Sequence, residues 1–125
     1  KGMRRLDQTA WIDVTWDFEG RGKESGFWAI NAQNYWVSVG AHNALYRFDG
    51  AKWIRFESQV RKPKAIWGNS TNDVWVVGEN GAGHFDGTTW ATVKGLDMEL
   101  DQVAGRNENE VWVGGPKGLW RGKAN

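Results

Sequence analysis

The sequence predicts an all-β protein built from one repeated antiparallel sheet. Two observations carry that expectation. The first is a phrase that recurs along the chain. Residues 34–53 read NYWVSVGAHNALYRFDGAKW, residues 72–90 read NDVWVVGENGAGHFDGTTW, and a third copy opens with NEVWVGGPKGLWRG at Asn109. The second is the period inside each copy, which is two rather than 3.6. Val74-Trp75-Val76-Val77 and Lys52-Trp53-Ile54-Arg55-Phe56 are β-branched and aromatic runs bounded by Gly, Asn or charge, and such runs read as strands. No segment presents a sustained amphipathic helical face.

Four strands follow in order within each copy, named A to D from the inside outward. Strand A falls at residues 26–30, 65–68 and 102–105. Strand B carries Trp36, Trp75 and Trp112, and strand C falls at residues 44–48, 82–85 and 118–121. Strand D carries Trp53 and Trp90. Between C and D stand Asp49-Gly50 and Asp86-Gly87, a strong hairpin signal that predicts a type I′ turn with positive φ at both residues. Trp36 and Trp75 are 39 residues apart, Trp75 and Trp112 are 37, and Trp53 and Trp90 are 37. A four-stranded antiparallel unit at that period predicts a β-propeller, with blades at residues 26–57 and 64–94 and a partial blade at 101–122. The third copy lacks a following Asp-x-x-x-Trp, and that spacing occurs instead at Asp7…Trp11. Residues 7–15 are therefore expected as strand D of a closing blade. Three blades are too few for a ring. The expectation is a ring closed by the N-terminal strand across a two-fold homodimer of six blades. A chain opening on Lys1 rather than Met reads as processed or as an excerpt.

The pattern Asn-Asp-Val-Trp-Val-Val-Gly, continued by Phe-Asp-Gly-x-x-Trp, resembles the Trp-rich repeats of bacterial β-propellers. It is similar to the Asp-box and photosystem II assembly-factor type of propeller, over residues 7 to 121. It departs from the sialidase Asp-box, because Asp73 and Gly78 are spaced otherwise and no triple of arginines recurs at blade starts. The resemblance implies a fold and leaves activity to be argued from a site.

Composition narrows the function classes. At 125 residues there is room for one domain with a modest core. Sixteen basic and 15 acidic residues give a net charge of +1, which offers no attraction to nucleic acid or an anionic membrane. With no cysteine there is neither a disulfide nor a Cys-based zinc site, and no apolar run is long enough to insert in a membrane. No cofactor is expected. A periplasmic or extracellular setting is favoured.

Ten tryptophans dominate the candidates. Trp11, Trp36, Trp53, Trp75, Trp90 and Trp112 hold repeat positions and read as packing between blades. Trp28 aligns by hydrophobicity with Ile66 and Val103 as an inner-strand residue. Trp67 then falls opposite Ala29 and Ala104, where a large ring would fill a central channel or meet a ligand. Trp120 aligns with Gly83 and Tyr46. With His42, Asn43, His84 and Arg47 these form the ligand-binding candidates, and Trp16 stands outside the repeat. Two histidines without further ligands do not predict a metal site. The connections from strand D to the next strand A differ most, and variable loops on a rigid scaffold are the usual place for binding. Arg21 and Lys23 lie in the first, Arg61, Lys62 and Lys64 in the second, and Asp97, Glu99 and Asp101 in the third. No catalytic residues are predicted. The acids read as turn or solvated loop residues, where a glycosidase needs two carboxylates across a cleft. The function expected is non-enzymatic: a protein-interaction or assembly module using the face shared by the D–A and B–C loops. A lectin with aromatic sugar sites is the alternative, and a propeller glycoside hydrolase a distant third.

Overall fold

The structure is a computed structural model that describes residues 3–7, 10–14, 25–31 and 33–122. Its strands, in chain order, are β1 (Met3–Asp7), β2 (Ala10–Val14), β3 (Gly26–Asn31), β4 (Asn34–Val39), β5 (Ala44–Phe48), β6 (Trp53–Phe56), β7 (Ala65–Ser70), β8 (Asp73–Gly78), β9 (Gly81–Phe85), β10 (Trp90–Thr92), β11 (Gln102–Asn107), β12 (Glu110–Gly115) and β13 (Gly118–Gly122). One 3-10 turn, Gly40–His42, is the helical element among the described residues. No helix in them is long and apolar enough to cross a membrane. The fold is all-β, as the repeat predicts.

The strands form two four-stranded sheets, β3-β4-β5-β6 and β7-β8-β9-β10, a three-stranded sheet β11-β12-β13, and a two-stranded sheet β1-β2. All neighbours are antiparallel. The larger sheets follow one another with inner strands side by side, β3 against β7 and β7 against β11, which is a propeller-like arrangement. Each inner strand has a register shift in the same place, after Ala29, Gly68 and Gly105.

Repeated side-chain chemistry sets the turns. Between strands A and B, Asn31 Oδ1, Ser70 Oγ and Asn107 Oδ1 each accept the backbone N–H two residues on, from Gln33, Asn72 and Asn109. Between C and D, Asp49 Oδ1 accepts from Ala51 and Lys52, and Asp86 Oδ1 from Thr88 and Thr89, all within 3.0 Å. Within these two turns positive φ is confined to the glycines, 99° at Gly50 and 106° at Gly87. The expected type I′ turn is therefore corrected. Positive φ at the first loop position alone is the mark of type II′, and the aspartate before it has no positive φ and bonds the turn through its carboxylate.

The N-terminal strand also has an unexpected neighbour. β2 pairs with β1, Leu6 opposite Trp11, as Phe48 lies opposite Trp53 and Phe85 opposite Trp90. The hairpin thus carries its own counterpart of strand C, which the repeat comparison left unassigned.

The core lies between sheets. Trp36 and Leu45 on one sheet bury against Ile66, Val74, Val76 and Phe85 on the next, with Val60 of the connecting loop and with Trp28, Phe56 and Trp90 at the margin. A smaller cluster of Val77, Ala82, Leu100 and Val113 joins the second sheet to the third. The opposite face of the first sheet holds Tyr35, Val37, Val39, Ala44 and Tyr46, all buried, with Phe48 and Trp53 packed against them.

Candidate functional site

The register of the strands settles how the tryptophans correspond. Trp28 lies opposite Trp36, Trp67 opposite Trp75, and Ala104 opposite Trp112. Trp28 and Trp67 are therefore equivalent, one position away from the alignment by hydrophobicity. Both do one job. The Trp28 ring covers Gly68 and the Trp67 ring covers Gly105, so closely that a Cβ at either glycine would come within about 2.5 Å of ring carbon. Each indole bridges one inner strand to the next.

Strands B and C place an arginine or histidine side chain against each strand B tryptophan. Arg47 sits 5.8 Å from the ring of Trp36 and Arg121 5.7 Å from that of Trp112, while the His84 ring lies 4.3 Å from Trp75. These are direct cross-strand pairs, in the geometry of a cation–π contact for the two arginines. A carboxylate two residues before the tryptophan completes two of the three. Trp75 Nε1 donates to Asp73 Oδ1 at 3.2 Å, with His84 Nε2 2.7 Å from the same oxygen, and Trp112 Nε1 donates to Glu110 Oε2 at 3.0 Å. In the first sheet Asn34 holds the equivalent place, and Asn34 Oδ1, Trp36 Nε1 and Arg47 Nε are buried without partners. His84 and Arg47 thus lie within the repeat, not beside the other ligand candidates. Among the described residues no three His, Asp or Glu are grouped to hold a metal ion.

The loop face is the most built exposed feature. The connection from β6 to β7 runs between the B–C turns of two sheets. The Arg61 N–H donates to Asn80 Oδ1 at 2.8 Å, and the Lys62 N–H to Asn43 Oδ1 at 2.7 Å. Within this connection Ser58, Val60 and Pro63 are buried, and the Ser58 Oγ accepts the Val60 N–H. Gln59 and Lys62 take left-handed φ of 66° and 47°. The backbone is pinned on both sides, yet the side chains of Arg61 and Lys62 stay 63% and 67% exposed, each 3.8 Å from a Glu79 oxygen. Lys64 pairs with Glu99 of the next connection. That hydrogen bond, together with the charge of Glu99, raises the Lys64 pKa against the opposing effect of burial. Asp97 and Asp101 are exposed in the same connection as Glu99, and His42 is exposed in the turn beside Asn43. Arg21, Lys23 and Trp16 lie outside the described residues.

A second feature was not signalled by the candidate list. A cavity of about 340 Å³ opens between the second and third sheets, lined by Trp75, Val93, Leu96, Val111, Val113 and Trp120 among others. Of the sequence candidates it draws in only Trp120. The signal was present in the sequence, since the third copy has Gly122 where the first two have Phe48 and Phe85.

No family model matches the chain, and no curated protein matches it. Among solved structures, one described as "YCF48 bound to D1 peptide" matches over 93% of this chain, with 13% sequence identity and a TM-score of 0.39. The match covers 55% of that protein, so this chain spans about half its length.

Proposed function

We propose that this chain is a non-enzymatic binding or assembly module that engages a protein partner through the D–A and B–C loop face. One observation carries the reading: the exposed Arg61–Lys62 pair on a backbone fixed by Asn43 and Asn80. Pre-organised side chains lose less entropy on binding than chains on a free loop. Two cations held this way favour a carboxylate-bearing segment, for which Glu79 is the resting counter-ion. Neutralising both, as Arg61→Ala with Lys62→Ala, should abolish capture of acidic peptides on a peptide array and leave the melting temperature within about 2 °C, the usual limit for exposed substitutions in a small domain. A glycan array run beside it separates the lectin reading. Sugar-inhibitable binding that survives the double change would replace this proposal with that one.

A further inference from the structure

The β8–β9 hairpin holds two connections at once. On one side, Asn80 Oδ1 accepts the Arg61 N–H at 2.8 Å, and Asn80 Nδ2 donates to Gln59 O at 3.3 Å. On the other, the Val93 N–H donates to Ala82 O at 3.0 Å and the Leu100 N–H to Gly78 O at 2.9 Å. Leu96 passes so close to Gly81 that a Cβ on the glycine would clash with the Leu96 carbonyl. Both connections are thereby fixed as walls of one cleft of about 280 Å³, which lies wholly within residues 59–97. Ligand sites begin at roughly 300 Å³, so the cleft has room for one side chain of a partner rather than for a large molecule.

Its lining is apolar at Val60 and Leu96 and polar at Gln59, Thr92, Lys94 and Asp97. These four polar residues are exposed, and among the described residues none of their side chains has a hydrogen-bond or ion-pair partner. Lys94 and Asp97 thus bring opposite charges to one cleft without pairing with each other. A group that fits must answer both. A carboxylate would satisfy Lys94 and meet Asp97 as a like charge. An ammonium or guanidinium would satisfy Asp97 and meet Lys94 in the same way. A carboxamide offers an acceptor oxygen to the lysine and two N–H donors to the aspartate, with no net charge. Hydrogen bonds to charged partners are the stronger class. Of the two amide side chains, glutamine has the longer methylene stem to lie along Val60 and Leu96, and each buried methylene adds to the hydrophobic gain.

We infer, resting on the reading of the loop face above, that this cleft receives a glutamine side chain of the segment whose carboxylate engages Arg61 and Lys62. Gln59 and Arg61, two residues apart, join the two places on one pinned backbone. Glu79 marks where the carboxylate sits, 3.8 Å from both Arg61 Nε and Lys62 Nζ, and its own N–H donates to Arg61 O at 2.8 Å. The partner's acidic residue displaces the Glu79 side chain, and a flanking glutamine enters the cleft beside Gln59. Recognition is then of an acid together with an amide, rather than of negative charge alone. Like-charge contact excludes the wrong residue: Asp97 rejects a second acid and Lys94 rejects a base.

The 125-residue chain is titrated with Gly/Ser peptides that carry a Glu-Glu pair and one glutamine, moved in turn through the positions on either side. At one spacing the glutamine peptide should bind at least about tenfold more tightly than the same peptide with leucine, glutamate or lysine there, the size of one charge-assisted hydrogen bond. Asp97→Asn should move the preference from glutamine to glutamate, and Lys94→Gln should move it to lysine. Both side chains are exposed, so neither change threatens the fold. Arg61→Ala with Lys62→Ala should remove binding of the whole series. If the leucine peptide binds as well as the glutamine peptide at every spacing, and that binding still needs Arg61 and Lys62, the cleft loses its role while the loop face keeps its own. A glutamine preference unchanged in both cleft variants would overturn the inference equally. If no acidic peptide binds at millimolar concentration, the loop-face reading falls and takes this one with it.

Discussion

At the scale of single residues, glycine and tryptophan are used as a pair. Gly68 and Gly105 have no positive φ to explain them. They are required because the rings of Trp28 and Trp67 rest on them. Gly105→Ala should therefore destabilise the protein by about 1–3 kcal/mol, the usual cost of overpacking, read from urea unfolding. The cause is testable by a double-mutant cycle. With Trp67→Ala already in place, adding Gly105→Ala should cost much less, because the clashing ring is gone. Additive costs would mean that the glycine serves its own backbone instead. This pairing also shows what the sequence hid. Aligning by hydrophobicity set Trp28 against Ile66 and made Trp67 an exception. Counting back from the strand B tryptophan gives eight residues to Trp28, Trp67 and Ala104 alike, and the exception disappears. Cross-strand register, not side-chain type, determines equivalence in a sheet. For the same reason Asn43 could be picked as polar and near a loop, while its actual bond, to the Lys62 N–H, depends on a loop 19 residues away.

At the scale of elements, the two Asp-Gly hairpins were legible in advance and their turn type was not. Asp-Gly is compatible with more than one hairpin geometry, and the choice fell to the carboxylate that bonds two loop N–H groups. Those bonds have a consequence for acid stability. The backbone N–H groups of Lys52 and then Ala51 hold the Asp49 pKa below its ordinary value, and those of Thr89 and then Thr88 do the same for Asp86. A depressed folded pKa means that the unfolded chain binds more protons through that range. The stabilisation is then complete above the unfolded carboxylate value, about 3.9, and is lost as pH falls through the lower folded value. Replacing both residues with Asn keeps a hydrogen-bond acceptor and removes the titration. The double variant should show a flatter decline of stability below about pH 4 than the parent in urea melts taken at successive pH. An unchanged slope would assign the acid limb to other carboxylates. The N-terminal hairpin carries the companion lesson. Asp7…Trp11 signalled a strand where β2 lies, but β1 lacks the bulky alternation of β5, so its partner strand went unread.

At the scale of the whole molecule, the repeat is uniform in backbone and graded in packing. Three successive sheets share register shifts, turn bonds and a strand B tryptophan with a cross-strand partner; the strands and tryptophans are visible in the recurring phrase, the register shifts and A–B turn bonds are not. The difference lies in what each tryptophan meets. Trp36 is fully buried, with three aromatic rings within about 5.3 Å. Trp75 is half-buried against His84 and fronts the cavity. Burial removed by truncation, and the void left behind, together set the cost of a large-to-small change. Trp36→Ala should cost about 3–5 kcal/mol. Trp75→Ala, which enlarges a space already open, should cost roughly half as much on the same reasoning. Hydrogen exchange gives the independent check. Amides of β4 and β8, on either side of the Trp36 contact, should exchange only through global unfolding. Those of β12 and β13 should open at lower free energy, since packing around them is incomplete. Equal costs for the two tryptophans, with uniform protection across all three sheets, would show that the third sheet is held as firmly as the others and that the cavity closes in solution.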